Sequence, residues 1–247
     1  MPRGPRKLSS TGIYHVMLRG ADRRVIFQDD QDNCVFLKKL LQVKQSSPFY
    51  LYAYCLMNNH VHLLMEERNE PLQTVFKRVG VAYVNYYNQK YELRGHLFQD
   101  RFKSEAIETD AYFLDVLRYI CQNPVKAGLV TDPFKYTWLG CSGITYSDPL
   151  IDSIAPYTDM DRNTLADFVA HPCDSTHIDD NVYKRLTDRE AIAKICKICN
   201  CAAVPEIGSW PVPMQRTAIK KLLRTGISIR QLSRLTGISK TLIEKNK

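Results

Sequence analysis

At 247 residues, with 45% hydrophobic and 24% charged side chains, the chain is able to bury a core of its own and has room for one large domain, or for one domain with a smaller companion. No apolar run approaches the roughly eighteen residues of a membrane span, and the basic opening from Met1 to Lys7 lacks the apolar stretch of a signal peptide, so no membrane partner is expected and the location reads as cytoplasmic. Eight cysteines in that setting read as reduced thiols, and a net charge of +8 points to an acidic partner, most simply nucleic acid.

Residues 12–19 mix β-branched and aromatic side chains after a turn-prone start and predict a first strand. A helix follows, with Asp29 and Asp30 as capping residues and Phe36, Leu37, Leu40 and Leu41 recurring at the helical interval until about Lys44, before Pro48. Phe49 to Met57 predicts a second strand, Asn58-Asn59 a hairpin turn, and His60 to Glu66 a third strand paired to the second. Pro71 suits the first turn of another helix, whose apolar face is Leu72, Val75, Phe76, Val79, Tyr83 and Tyr86. A short fourth strand, 102–108, leads into a helix from Asp110 to Gln122 that Pro124 is expected to stop. This order is that of an α+β, ferredoxin-like (RRM-like) fold: an antiparallel sheet with strands one and three adjacent, helices on one face, and the other face open to a substrate or to the extra helix.

Both His60 and His62 fall on the third strand. Alternate strand residues project to the same side, so the two imidazoles stand together and are able to share a metal ion. The pattern is short, and a role at the hairpin end for one and on a polar surface for the other explains the same residues. The following helix adds weight. Phe113, Leu114, Leu117, Ile120 and Cys121 lie on one side of it, and Tyr112, Asp115, Tyr119, Gln122 and Asn123 on the other, which is expected to face solvent. A phenol with a pKa near ~10 is inert at neutral pH, but a cation nearby stabilises its anion and polarises a phosphoryl oxygen under attack. Asn123, one turn after Tyr119, is placed to complete a ligand set of two imidazoles and one amide oxygen, which suits Mg2+ or Mn2+.

Four segments carry a family resemblance. They are Tyr14-His15-Val16 with Arg19 to Phe27, then Tyr54 to Met65 (YCLMNNHVHLLM), then Phe98 to Lys103 (FQDRFK), and Tyr119 to Val130 (YICQNPVKAGLV). In this order they resemble the signature blocks of the HUH-type single-strand transposases of the IS200-like superfamily, and most of all the REP-associated tyrosine transposases. The resemblance implies that His60 and His62 are metal ligands and that Tyr119, not Tyr112, is the nucleophile. It implies a metal-dependent endonuclease and strand transferase acting on single-stranded DNA with hairpin or repeat structure, through a 5′-phosphotyrosine link that a 3′-hydroxyl later resolves. No organic cofactor is implied, and no phosphate-binding Gly-x-x-x-x-Gly-Lys-Ser/Thr loop occurs in the sequence. Where such transposases often carry a glutamine four residues after the tyrosine, this chain has Asn123. Arg19, Arg23, Arg24, Arg101 and Lys103 are the candidates for phosphate contact. Related enzymes include dimers, and monomer and homodimer both remain open.

Between Asp148 and Glu190, ten acids outnumber four Lys or Arg, whereas from Met214 to Lys247 nine Lys or Arg face a single acid. The expected division is a catalytic domain over 8–140, an acidic helical connecting region over 141–212 and a basic tail over 213–247. The tail predicts helices at 214–224, 228–235 and 239–245, separated by Gly226 and Gly237 and capped by Ser228 and Ser239. Its Ile229–Lys240 stretch, which includes Arg230, resembles a helix-turn-helix whose second helix carries Lys240, Thr241 and Lys245 toward duplex DNA. A catalytically idle, sequence-specific DNA-binding regulator is therefore the alternative function. Cys196, Cys199 and Cys201, with His171, Cys173 and His177, have poor spacing for zinc, and thiols are expected there.

Overall fold

The computed structural model describes residues 7–145, 148–172, 177–178, 188–201, 203–223, 225, 227 and 229–246. The chain divides into two compact units, Met1–Asp179 and Asp180–Lys247.

In the first unit, strands β1 (Ile13–Arg19), β2 (Tyr50–Met57) and β3 (His60–Glu66) form where aromatic and β-branched residues cluster. Helix α1 (Asp30–Ser46) starts at Asp29, whose side chain accepts from the Asp32 N–H at 3.1 Å, and helix α2 (Leu72–Lys90) starts after Pro71. Strand β4 (Lys103–Ile107) precedes helix α3 (Asp110–Lys126), capped by Thr109. Strand β5 (Leu139–Cys141) and helix α4 (Arg162–Ala170) follow. The sheet is antiparallel with the order β4-β1-β3-β2-β5, so the expected ferredoxin-like arrangement with β1 beside β3 is found.

Two features differ from the sequence-based expectation. The fifth strand was not predicted, because three residues with a glycine at their centre carry no alternation. It forms because Gly140 lies opposite Tyr54, whose ring fills the space a Cβ would need. Helix α3 also runs through Pro124. The proline removes only the N–H that would reach Ile120, while the Ala127 N–H still bonds to Asn123 at 3.0 Å and the Pro124 carbonyl accepts from Leu129 at 3.0 Å.

The sheet separates two cores. One face carries Tyr14, Val16, Leu18, Leu56, Val61 and Leu63 against α1 and α2. The other carries Ile13, Cys55, Leu64 and Ile107 against Phe113, Val116, Leu117 and Ile120 of α3, with Leu165 and Val169 of α4 in the same core. The sandwich helices thus sit on one face, and the extra helix covers the other.

In the second unit, α5 (Asp188–Cys199), α6 (Val212–Leu223), α7 (Ile229–Thr236) and α8 (Lys240–Glu244) surround a core that includes Ile195, Ile207, Ile219, Leu222, Leu232 and Ile243. Gly237, with φ of +75°, makes the left-handed turn between α7 and α8, and Ser239 caps α8. Ser228 and Gly226 lie outside the described residues. The stretch expected to connect the domains is shared out, with α4 packed on α3 in the first unit and α5 in the second. Among the described residues, no helix is long and apolar enough to cross a membrane.

Candidate active site

Strand register decides which side chains meet on the α3 face. Met17 pairs with His62 and Arg19 with His60 across β1 and β3, while His15 pairs with Glu105 and Met17 with Lys103 across β1 and β4. Antiparallel partners project to the same side. His15, Arg19, His60, His62, Lys103 and Glu105 therefore share one face, with the His60 and His62 ring centroids 4.9 Å apart.

Helix α3 brings Tyr119 onto this surface. Its neighbours Val116, Leu117 and Ile120 are fully buried and anchor the helix, and Tyr119 itself is only 2% exposed. Its ring centroid lies 5.7 Å from both His15 and His62 and 4.2 Å from His177, and the Lys126 Nζ stands 4.7 Å from the same ring. The polar stripe of α3 thus faces the sheet instead of solvent. The reason is that this part of the sheet is itself polar, and that α4 covers what remains: Gln122 is buried and donates to the Val169 and Ala170 carbonyls at 2.6 and 3.0 Å.

Glu105 is the hub of the polar groups. Its Oε2 lies 3.5 Å from His15 Nδ1 and 3.7 Å from His177 Nδ1. Burial alone would raise its pKa, but the nearby His15, His177 and Tyr112 side chains outweigh that and hold the carboxyl well below the usual range. Tyr112 shows the reverse, pushed up by burial and by the Glu105 carboxylate. The Tyr112 hydroxyl is 3.3 Å from His177 Nδ1, and the His177 Nε2 is 3.4 Å from Asp115 Oδ2.

These contacts bear on whether the histidine pair suits a metal ion. His15 Nε2 is 2.9 Å from His62 Nδ1. The carboxylate beside His15 Nδ1 favours the proton on that nitrogen, so His15 Nε2 accepts from the His62 Nδ1–H and the His62 lone pair falls on Nε2. The Asn59 Oδ1 is 2.6 Å from His60 Nδ1, which assigns His60 the same tautomer. An imidazole whose Nδ1–H is held by a second partner and whose Nε2 carries the lone pair is one of the two forms in which histidine binds divalent cations, so the donor chemistry fits.

The remaining candidates are placed as follows. Asn123 is buried, and its Nδ2 donates to the Tyr119 carbonyl at 2.9 Å, which orients its amide. Arg24 and Arg101 are exposed, and the segment that holds Arg101 runs beside the end of β1, where the Gln99 N–H reaches the Arg19 carbonyl at 2.9 Å. In the second unit Lys240, Thr241 and Lys245 are exposed at α8. The side chains of Arg23 and Arg230, and Cys173, lie outside the described residues. Cys196, Cys199 and Cys201 are half-buried and not joined in a disulfide.

His15, Glu105, His177 and Lys126 were not among the predicted site residues. His15 had a usable signal, since it alternates with Ile13 and Met17 on a strand expected beside β3. His177 drew notice only beside the Cys196, Cys199 and Cys201 group, and nothing local tied it to Tyr119, because it lies far downstream in a stretch without periodicity.

Residues 9–123 match the family model described as Transposase IS200 like. A Haemophilus influenzae protein named as a REP-associated tyrosine transposase is 31% identical over 137 residues, covering 51% of this chain and 77% of that protein. Among solved structures, a REP-associated tyrosine transposase bound to a REP hairpin aligns with 20% identity and a TM-score of 0.48, over 56% of this chain and 82% of its own. A crystal structure named for a transposase of Deinococcus radiodurans R1 aligns with 16% identity and a TM-score of 0.35, over 49% of this chain and 95% of its own.

Proposed function

We propose that this chain, which belongs to the REP-associated tyrosine transposase family of IS200-like transposases, cuts and rejoins single-stranded DNA with Tyr119 as nucleophile. The observation that carries this reading is the position of Tyr119, buried on the same surface as His60 and His62 with its ring 5.7 Å from His62. In it, His60 and His62, with the Asn123 amide oxygen as third donor, would hold Mg2+ or Mn2+, which would polarise the scissile phosphate and stabilise the phenolate.

The chain's own residues do the rest. The Tyr119 Oη attacks phosphorus as the bond to the 3′ oxygen breaks. The phenol proton is lost and the departing oxygen gains one, so the product is a 5′-phosphotyrosine and a 3′-hydroxyl. Reversal by another 3′-hydroxyl rejoins the strand, which is why a tyrosine, and not water, is the nucleophile: the phosphodiester energy is kept. The Lys126 ammonium stands over the Tyr119 ring, 4.7 Å from its centroid, a cation–π contact that helps to hold the ring in place. Arg19 and Lys103, on the same face as His60, are suited to hold backbone phosphates, with the exposed Arg24 and Arg101 extending that track.

A hairpin-forming repeat is the substrate that family membership favours. Domain roles follow the same reading, with the catalytic role in the first unit, which extends past 8–140 to include α4 and His177, and a duplex contact from the basic 213–247 stretch of the second through Lys240, Thr241 and Lys245. That exposed basic surface is also what favours the second reading, a catalytically idle regulator. Incubation of labelled hairpin-flanked single-stranded DNA with Mn2+ or Mg2+ separates the two. A denaturation-resistant protein–DNA adduct is expected in wild type and not in Tyr119→Phe. No adduct in wild type, or one that persists in Tyr119→Phe, rejects the nucleophile.

A further inference from the structure

We propose that His15, Glu105 and His177 form a second divalent-cation site, of the zinc class, whose occupation switches off the His60 and His62 pair. The first half stands on geometry alone, and the second half rests on the function proposed above.

The three ligand atoms lie within 4.8 Å of one another. Both imidazoles turn Nδ1 to the same Glu105 oxygen, at 3.5 and 3.7 Å. These separations exceed the ~2.7–3.2 Å of a good N–H···O bond. They match the spacing of about 3.4 Å that two ligands adopt when each is ~2.1 Å from one tetrahedral cation. The far nitrogens are also held. His177 Nε2 is 3.4 Å from Asp115 Oδ2, and His15 Nε2 is 2.9 Å from His62 Nδ1. A metal-bound histidine normally hands its other N–H to such a partner. His15 and His177 are 0% and 1% exposed, so a cation there is screened from bulk water on the histidine side. Two imidazoles and one carboxylate, with a position left for water, are a zinc donor set, whereas Mg2+ prefers oxygen ligands.

The link to the catalytic pair is the N–H···N contact between His15 and His62. Without a cation at His15, its proton sits on Nδ1 toward Glu105, and the lone pair of His62 is on Nε2. With a cation on His15 Nδ1, the His15 proton must move to Nε2, where it points at His62 Nδ1. His62 then carries its own proton on Nε2, the atom on which the catalytic cation depends. Each ring keeps one proton, and only the positions change. The two sites therefore exclude each other through one hydrogen bond.

Cobalt(II) titration of the full-length chain tests the site without reference to activity. Tetrahedral Co2+ absorption, erased by Zn2+, is expected in wild type and in His60→Ala. It should weaken at least about tenfold in affinity in His177→Gln and, as an independent variant, in Glu105→Gln. Far-ultraviolet circular dichroism identifies which variants are folded, and the folded one decides. A second arm measures Mn2+-dependent adduct formation with and without Zn2+, as a ratio within each protein; zinc should suppress it in wild type and much less in His177→Gln. No cobalt signal in wild type, or a signal lost in His60→Ala but kept in His177→Gln, overturns the second site. If the cobalt result holds but wild type forms no adduct with Mn2+, the Tyr119 reading fails and the site stands. If adduct formation is equally zinc-sensitive in both proteins, the switch is overturned.

Discussion

The two units place their polar groups in opposite ways. In the first, His15, His62, His177 and Tyr119 are all but inaccessible to water and make contacts to one another. In the second, the core is aliphatic and the cations Lys240 and Lys245 lie outside. The contrast is the one that the proposed function calls for. Bond making needs dipoles and charges held at fixed geometry in a low-dielectric setting, where each interaction is strong and little reorganisation remains. Attraction to a phosphate backbone needs only accessible positive charge.

Removing a member of the buried set should have the largest effect. His62→Ala is expected to leave no detectable covalent adduct at any Mn2+ concentration while the protein stays folded, and an adduct restored by excess metal would argue that His62 is dispensable. Next in size is packing beneath the site. Phe113, fully buried and stacked on Tyr157 with centroids 4.3 Å apart, anchors α3. Phe113→Ala should cost about 3–5 kcal/mol in denaturant-unfolding experiments. A loss well under that range would mean that α3 is held mainly by its polar contacts.

The outer surface of the second unit should respond differently. Replacing Lys240 and Lys245 together with alanine should reduce the slope of log affinity against log salt for duplex DNA by about 0.9 per lysine, with adduct formation at saturating single-stranded DNA unchanged. An unchanged slope would remove α8 from the DNA contact.

The smallest effect concerns Asp188, whose pKa is lowered to about 2 by hydrogen bonds from Arg234 and Gln231. A depressed folded-state pKa contributes stability that is present above the unfolded value near 3.8 and is lost as pH falls through the folded one. The melting difference between wild type and Asp188→Asn should thus be present at pH 7, narrow below about pH 4 and shrink in high salt, since the pair is exposed. A difference that grows on acidification would contradict the ion pair.

Much of the fold was legible because its elements carry local signals. The alternation in β1 to β3, the apolar spacing of α1 to α3 and the Asp29 cap each act over a few residues. The site was legible only in part. His60 and His62 could be paired from strand geometry, and Tyr119 could be placed on α3, but its burial could not be read, since a stripe of tyrosine, carboxylate and amides looks solvent-facing until the opposing sheet surface is known to be polar. Pro124 misled for a similar reason: near the end of a helix the loss of one N–H is compensated by neighbouring bonds.

The sequence by itself determined the order of elements, the apolar faces that close the two cores, the histidine pair and the basic tail, because periodicity and charge are properties of neighbours along the chain. Only the tertiary structure decided that His15 hands its ring to His62, that Glu105 gathers three donors and that His177 comes back to Tyr119. Those contacts depend on strand register and on a return from far downstream, and a register shift of one residue would turn each strand's side chains to the opposite face.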